Sequence, residues 1–301
     1  MAYIIENANI VSGDTIKESS LFVEEGKIST VKTAFPLYKH MRMNANSFLL
    51  TPIHVMYDSK FPNLGSHPNQ KSYFTEEYIL KGTTALLTSV YVHFEKDLKT
   101  NIKRLKTNLL NSPIDYIIGV RIPLRLLTTS FLLKTKQERI PALFIEIDSV
   151  EELKNMPWGW IREAMFPYNS PLIPVIKYEQ PTERSLALKT WKMIVKNEKI
   201  PALLEELPEK QNLCRSILAK IGIYPLKAAI QIGSELSYNL YLPSREIIKI
   251  EELELNDYHK ERLAVTVHKG TVIRAGDEVM YRPGSGEHVL IKTPSYFTFG
   301  D

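Results

Sequence analysis

Glu146 and Asp148 close the apolar run Phe144-Ile145-Glu146-Ile147-Asp148, and Lys177 and Glu179 flank Tyr178 at the end of a second run, residues 171–178. In a parallel α/β fold the C-terminal ends of the strands face the ligand crevice. Carboxylates there could act as general acid and base if burial raises one pKa. Alternation along a strand puts Lys177 and Glu179 on one face and Tyr178 on the other, so Lys177 could hold an anion. Plainer readings compete. Asp148-Ser149-Val150-Glu151-Glu152 has the form of a helix start with Asp148 as its cap, and Lys177 could serve only in ion pairs. The seven histidines are His40, His54, His67, His93, His259, His268 and His288. A metal set of His54, His93, Asp58 and Glu146 can be drawn, yet no pair has metal-motif spacing. Cys214 has no histidine near it in any motif and reads as a core or surface thiol. Trp158-Gly159-Trp160 with Met165-Phe166 forms an amphipathic aromatic patch, suited to a lid, a partner surface or a packed helix.

The elements that would position these residues fall into two kinds. Residues 3–11 form an apolar run ending at the Ser12-Gly13-Asp14 turn, and residues 21–31 read as two strands around Glu24-Glu25-Gly26-Lys27. Residues 263–274 repeat that grammar around Lys269-Gly270, and Pro283-Gly284-Ser285-Gly286 interrupts the chain before Val289-Leu290-Ile291. Between these ends, short apolar runs alternate with helical patterns. The runs cover 47–56, 83–91, 116–120, 142–147, 171–178 and 202–207. Helical patterns cover 75–81, 95–111, 124–138, 183–197, 211–220 and 225–240. Strand and helix alternating at this spacing argue βαβ units and a parallel sheet.

Composition narrows the class. The 301 residues carry 44% hydrophobic and 24% charged side chains, enough to bury a sizeable core. Gly 13, Pro 18 and Cys 1 exclude a collagen, a low-complexity chain and a disulfide scaffold. Lys+Arg 38 against Asp+Glu 34 leaves +4, too diffuse for a nucleic-acid partner. No run of about 18 uncharged apolar residues appears, and residues 1–14 do not read as a secretory signal, so no membrane partner is expected either. The expectation is a soluble cytoplasmic protein.

In order along the chain, several of these segments resemble the amidohydrolase superfamily, in particular its dihydroorotase and hydantoinase branch. The resemblance rests on Asn7-Ala8-Asn9-Ile10-Val11, the Gly26-Lys27-Ile28 hairpin, Leu49-Leu50-Thr51-Pro52, and Gly82-Thr83-Thr84 after a helix. Ile176-Lys177-Tyr178-Glu179, Gly222-Ile223-Tyr224-Pro225 and Val267-His268-Lys269-Gly270-Thr271-Val272 continue it. It implies metal-dependent hydrolysis of C–N bonds in a (β/α)8 barrel beside a small β domain. It also implies a His-x-His pair at the end of strand one, which by counting from Pro52 falls on Asp58 and Lys60. A bridging lysine on strand four should fall within residues 143–146, where none stands, and the strand-five histidine position carries Lys177.

The expected architecture is therefore α/β: a shortened or distorted TIM-like barrel (51–240) inserted in a composite β-sandwich formed by both chain ends (1–50 and 241–301). Runner-up is an open doubly wound sheet, which strand order would distinguish. The expected function is a degenerate amidohydrolase-like protein without its metal site or a cofactor, acting as a binding or scaffold protein. Its partner would be a small molecule or a protein, with homo-oligomer formation left open. The alternative is a working C–N hydrolase with a non-standard site. Ligand binding is assigned to Asp58, Lys60, Glu146, Lys177 and Glu179 in one rim cluster, with Asp58, Glu146 and Glu179 as catalytic candidates.

Overall fold

A computed structural model describes residues 2–13, 15–61, 67–243 and 260–295. In chain order the first elements are β1 (Ala2–Ser12), β2 (Thr15–Glu24), β3 (Lys27–Lys32), β4 (Met41–Asn44), β5 (Leu49–Pro52) and β6 (His54–Asp58). There follow α1 (His67–Glu77), β7 (Thr83–Tyr91), α2 (Leu98–Asn108), β8 (Asp115–Pro123), α3 (Thr129–Gln137) and β9 (Leu143–Ile147). Next come α4 (Val150–Asn155), α5 (Trp158–Met165), β10 (Leu172–Ile176), α6 (Pro181–Glu198) and α7 (Arg215–Ile221). The chain closes with β11 (Tyr238–Tyr241), β12 (Leu263–His268), β13 (Thr271–Ala275) and β14 (Glu278–Val279). These pack as two compact units. One comprises Met1–Met56, Gly65–Ala85 and Pro225–Ser285; the other comprises Tyr57–Leu64, Leu86–Tyr224 and Gly286–Asp301.

The first unit is built on one nine-stranded sheet in the order β14-β13-β12-β11-β5-β1-β2-β3, with β4 beside β1. Both chain ends thus share a single sheet. Its hairpins form where the sequence places a glycine: Glu25 and Gly26 have φ of 51° and 74°, and Lys269 and Gly270 have φ of 49° and 74°. Two successive positive φ values twist a two-residue turn the way the strands twist, and glycine removes the Cβ penalty at the second. Ile5, Leu21, Val23 and Ile28 pack in one buried cluster with Leu240 and Val267, so early and late strands close over a common core.

The second sheet has the order β6-β7-β8-β9-β10. β8, β9 and β10 pair in parallel, with Val120 opposite Leu143 and Leu143 opposite Leu172. Each strand neighbours the next in sequence. A doubly wound sheet reverses its order at a switch point, and this one does not. Its strands are near-continuous buried runs, as parallel strands covered on both faces must be. The crossover helices start at local signals. Thr128 Oγ1 accepts from Phe131 N at 3.2 Å before α3, Ser149 Oγ accepts from Glu152 N at 3.1 Å before α4, and Pro181 opens α6. The cap before α4 is therefore Ser149, not the expected Asp148.

The sheet curls into a half-barrel of five parallel strands. The sixth apolar run is not a strand; instead residues 201–210 touch both edges. Ala202 bridges Leu172 of β10 and Glu209 bridges Tyr57 of β6. Side chains complete what backbone pairing leaves open: Glu206 Oε1 accepts from Ile176 N at 2.8 Å, and Glu209 Oε2 accepts from Ser59 N at 3.1 Å. Two helical expectations also change. Residues 225–237 are turns leading into β11, and 211–220 keeps only the helix Arg215–Ile221. Val289-Leu290-Ile291 forms no strand; Val289 N donates to Tyr116 O at 2.9 Å beside β8. Gly286 makes that approach feasible, since a Cβ there would lie 1.9 Å from Ile114 O. No helix among the described residues is long and apolar enough to cross a membrane.

Candidate functional site

Parity decides which strand residues face the inside of the curled sheet. Phe144 is paired with Arg121, and Glu146 with Pro123 and Val175, so these share a face. Deep on that face Tyr57 stacks on Phe144, with ring centroids 4.6 Å apart and planes at 10°. Gly119 leaves room for the ring; a Cβ there would come within 2.8 Å of it. Toward the C-terminal strand ends the same face opens into a cavity of about 410 Å³ lined by Ser59, Ser89, Tyr91, His93, Arg121, Glu146 and Lys177.

Glu146 is the centre of this cavity. Its Oε1 lies 2.8 Å from Lys177 Nζ, 2.8 Å from Arg121 Nη2 and accepts from Arg121 Nε at 2.9 Å. Its Oε2 accepts from Tyr91 Oη at 2.7 Å. Burial pushes the carboxyl up, but hydrogen bonds from Lys177 and Tyr91 and the Arg121 charge outweigh it and hold the pKa below the ordinary value. Burial and the same carboxylate push the Tyr91 hydroxyl up to about 12, so it stays a donor. Exposure separates the two cations: the Lys177 side chain is 44% exposed, Arg121 20% and Glu146 12%. Ser89 Oγ lies 3.3 Å from Tyr57 Oη at the cavity floor. His93 packs edge-on against Tyr91 at 4.3 Å. Below the floor a smaller cavity of about 210 Å³ shares Arg121 and is bounded by Tyr57, Phe144, Arg184, Glu206 and Glu209.

Of the expected rim residues, Glu146 and Lys177 are brought together and Asp58, Lys60 and Glu179 are not among the lining. Asp58 is buried, and its Oδ1 accepts from Lys60 N at 2.7 Å and Phe61 N at 3.2 Å, capping the turn after β6. Its own carbonyl accepts from Thr88 Oγ1 at 2.8 Å. Lys60 and Glu179 are exposed. The metal set drawn from His54, His93, Asp58 and Glu146 is likewise divided. His54 is fully buried in the first unit, with Nε2 2.7 Å from Tyr241 Oη, while His93 and Glu146 line the cavity. Trp158 of the aromatic patch is packed, donating Nε1 to Leu153 O at 3.0 Å and meeting Trp191 edge-on at 6.1 Å, whereas Trp160 is exposed. Tyr91 and Arg121 were missed. Tyr91 ends the run 83–91 and Arg121 follows directly on the run 116–120, positions comparable to those of Glu146 and Lys177 in their own runs.

The half-barrel and the separate, largely antiparallel sheet have counterparts among solved structures. The fold is similar to that of D-hydantoinases. A D-hydantoinase (dihydropyrimidinase) from Thermus sp. aligns with TM-score 0.61 and 13% identity over 98% of this chain and 100% of that one. Another D-hydantoinase aligns with TM-score 0.58 and 14% identity over 97% and 99%. A dihydropyrimidinase from Brevibacillus agri NCHU1002 aligns with TM-score 0.52 and 11% identity over 97% and 99%. No family model matches the sequence, and no curated protein matches it either.

Proposed function

We propose that this chain is an amidohydrolase-like protein that works without the family's hydrolytic metal, as a non-catalytic binding protein using the cavity at its strand ends. The observation that carries this reading is the occupation of Glu146 by two cations. The family resemblance expects a metal-bridging lysine on β9 and a metal-binding histidine on β10. Here Glu146 stands on β9 and Lys177 just beyond β10, and they pair with each other and with Arg121. The lining does not fit a divalent ion. Among the described residues it offers one carboxylate and one imidazole, and any ion approaching Glu146 Oε1 meets two positive groups already at 2.8 Å from that oxygen. Without a metal the family has no means of generating hydroxide at neutral pH, and a fold by itself assigns no chemistry.

A second reading, a working hydrolase of C–N bonds through a non-standard site, draws on the likeness to D-hydantoinases and on His93 beside Tyr91 in the cavity. Metal analysis of purified protein with an assay on hydantoin, before and after chelation, separates the two. The binding reading expects substoichiometric metal and no hydrolysis. Near-stoichiometric zinc, manganese or nickel, whose removal abolishes turnover, would replace it with the second.

A further inference from the structure

The cavity is built to give hydrogen bonds to a negative group. Arg121 spends Nε and Nη2 on a single oxygen, Glu146 Oε1, and its Nη1 has no partner among the described residues. Among the described residues Lys177 Nζ meets only Glu146, which uses one of its three protons. Tyr91 is already committed as a donor to Glu146. Two fixed positive charges against one negative leave the lining net positive, with Ser59 and Ser89 hydroxyls beside them. Among the described residues no aliphatic side chain lines the space, and about 410 Å³ lies toward the small end of the range for metabolite sites.

We infer that the cavity binds a small, polar molecule bearing a carboxylate or phosphate group, and that Glu146 is an internal anion competing with it for Arg121 and Lys177. This rests on the binding-protein reading above. Arg121 is the fixed part of the anion seat, being the less exposed cation on a strand. Lys177, nearly half exposed, can swing from Glu146 to the ligand while Arg121 and Tyr91 keep the carboxylate paired. Removing the Glu146 charge therefore strengthens the site, the reverse of what removing a catalytic carboxylate would do. Two like charges a few ångströms apart at a partly screened site change affinity about tenfold or more.

Calorimetric titration of the full-length protein tests this with inorganic phosphate, succinate and the uncharged succinamide as probes. The wild type should bind at least one anion and ignore succinamide; which anion wins identifies the oxyanion. Glu146→Gln should bind that anion about tenfold more tightly, and Lys177→Met about tenfold more weakly, both with unchanged circular dichroism. Because Lys177 is half exposed, its variant keeps the test decisive if Glu146→Gln fails to fold. Equal binding of succinamide, no anion binding by any folded form, or weaker binding by folded Glu146→Gln would overturn the inference. An anion that binds only metal-loaded protein would overturn the metal-free reading and leave the charge assignment standing.

Discussion

Arg121→Met and Lys177→Met should differ sharply in cost although both remove a cation 2.8 Å from the same oxygen. The reason is exposure. Lys177 is 44% exposed, so water screens its pairing and reclaims its ammonium when the pair breaks; such a contact contributes under about 1 kcal/mol. Arg121 is 20% exposed and makes two contacts to a carboxylate that is 12% exposed. Hydrogen bonds to charged groups contribute about 1.5–3 kcal/mol, and stripping a fully buried ion of its partner costs about 3–5 kcal/mol. With Lys177 and Tyr91 still holding Glu146, Arg121→Met should cost about 2 kcal/mol. Urea unfolding at neutral pH measures both, provided m is unchanged. The double variant leaves Glu146 with Tyr91 alone and should cost more than the sum of the singles, and adding Glu146→Gln should restore most of the loss. Because the folded carboxyl pKa is depressed, its paired-ion stabilisation is present at neutral pH and is lost as pH falls through that pKa, so the Arg121→Met deficit should shrink in acid. Equal costs for the two single variants, or strict additivity, would refute the shared-carboxylate account.

Two further outcomes follow from buried groups. Burial lowers the His54 pKa from 6.5 to about 4. A depressed folded pKa means stability is complete above the unfolded value and lost as pH drops from about 6.5 toward about 4, by about 3 kcal/mol in all at ~1.4 kcal/mol per unit. Relative to His54→Gln, the wild type should show that loss in urea midpoints measured across the interval; parallel profiles would contradict it. His288, also lowered to about 4 by burial and by Lys106, is common to both proteins and cancels. Gly119→Ala should destabilise by about 1–3 kcal/mol through overpacking, because its Cβ would press on the Phe144 ring at 2.8 Å and on Ala142 O at 3.1 Å. An unshifted melting temperature in Gly119→Ala would mean the Tyr57–Phe144 stack is not fixed as described.

Local grammar made much of the fold legible. Gly26 and Gly270 marked the hairpins because the turn needs φ > 0 there, and the apolar runs 83–91, 116–120 and 142–147 each became a buried parallel strand. Where the expectation failed, long-range contacts had overridden local pattern. Residues 202–207 look like a strand yet, among the described residues, bridge only at Ala202, while the Glu206 and Glu209 side chains bond backbone donors of the two sheet edges. Residues 225–240 have a helical pattern, but the segment ends in β11, where Tyr238–Tyr241 pairs with Leu49–Pro52 as well as with β12.

The candidate site shows how small an error in register costs a functional residue. Counting from Pro52 by the resemblance put the first ligand positions on Asp58 and Lys60. Tyr57, stacked on Phe144, faces the inside of the curled sheet. Side chains alternate, so Asp58 must leave on the opposite face, where it caps the turn through Lys60 N and Phe61 N. Ser59, the residue between the two expected positions, is the one that lines the cavity. Glu179 failed for a related reason: β10 ends at Ile176, so alternation that still holds for Lys177 cannot be carried two residues further into the loop. Applied with the correct parity, the rule that a polar residue ending an apolar run faces the crevice recovers Tyr91, Arg121, Glu146 and Lys177 together. Those four, three ions and the Tyr91 hydroxyl, are the cluster on which the proposed binding rests.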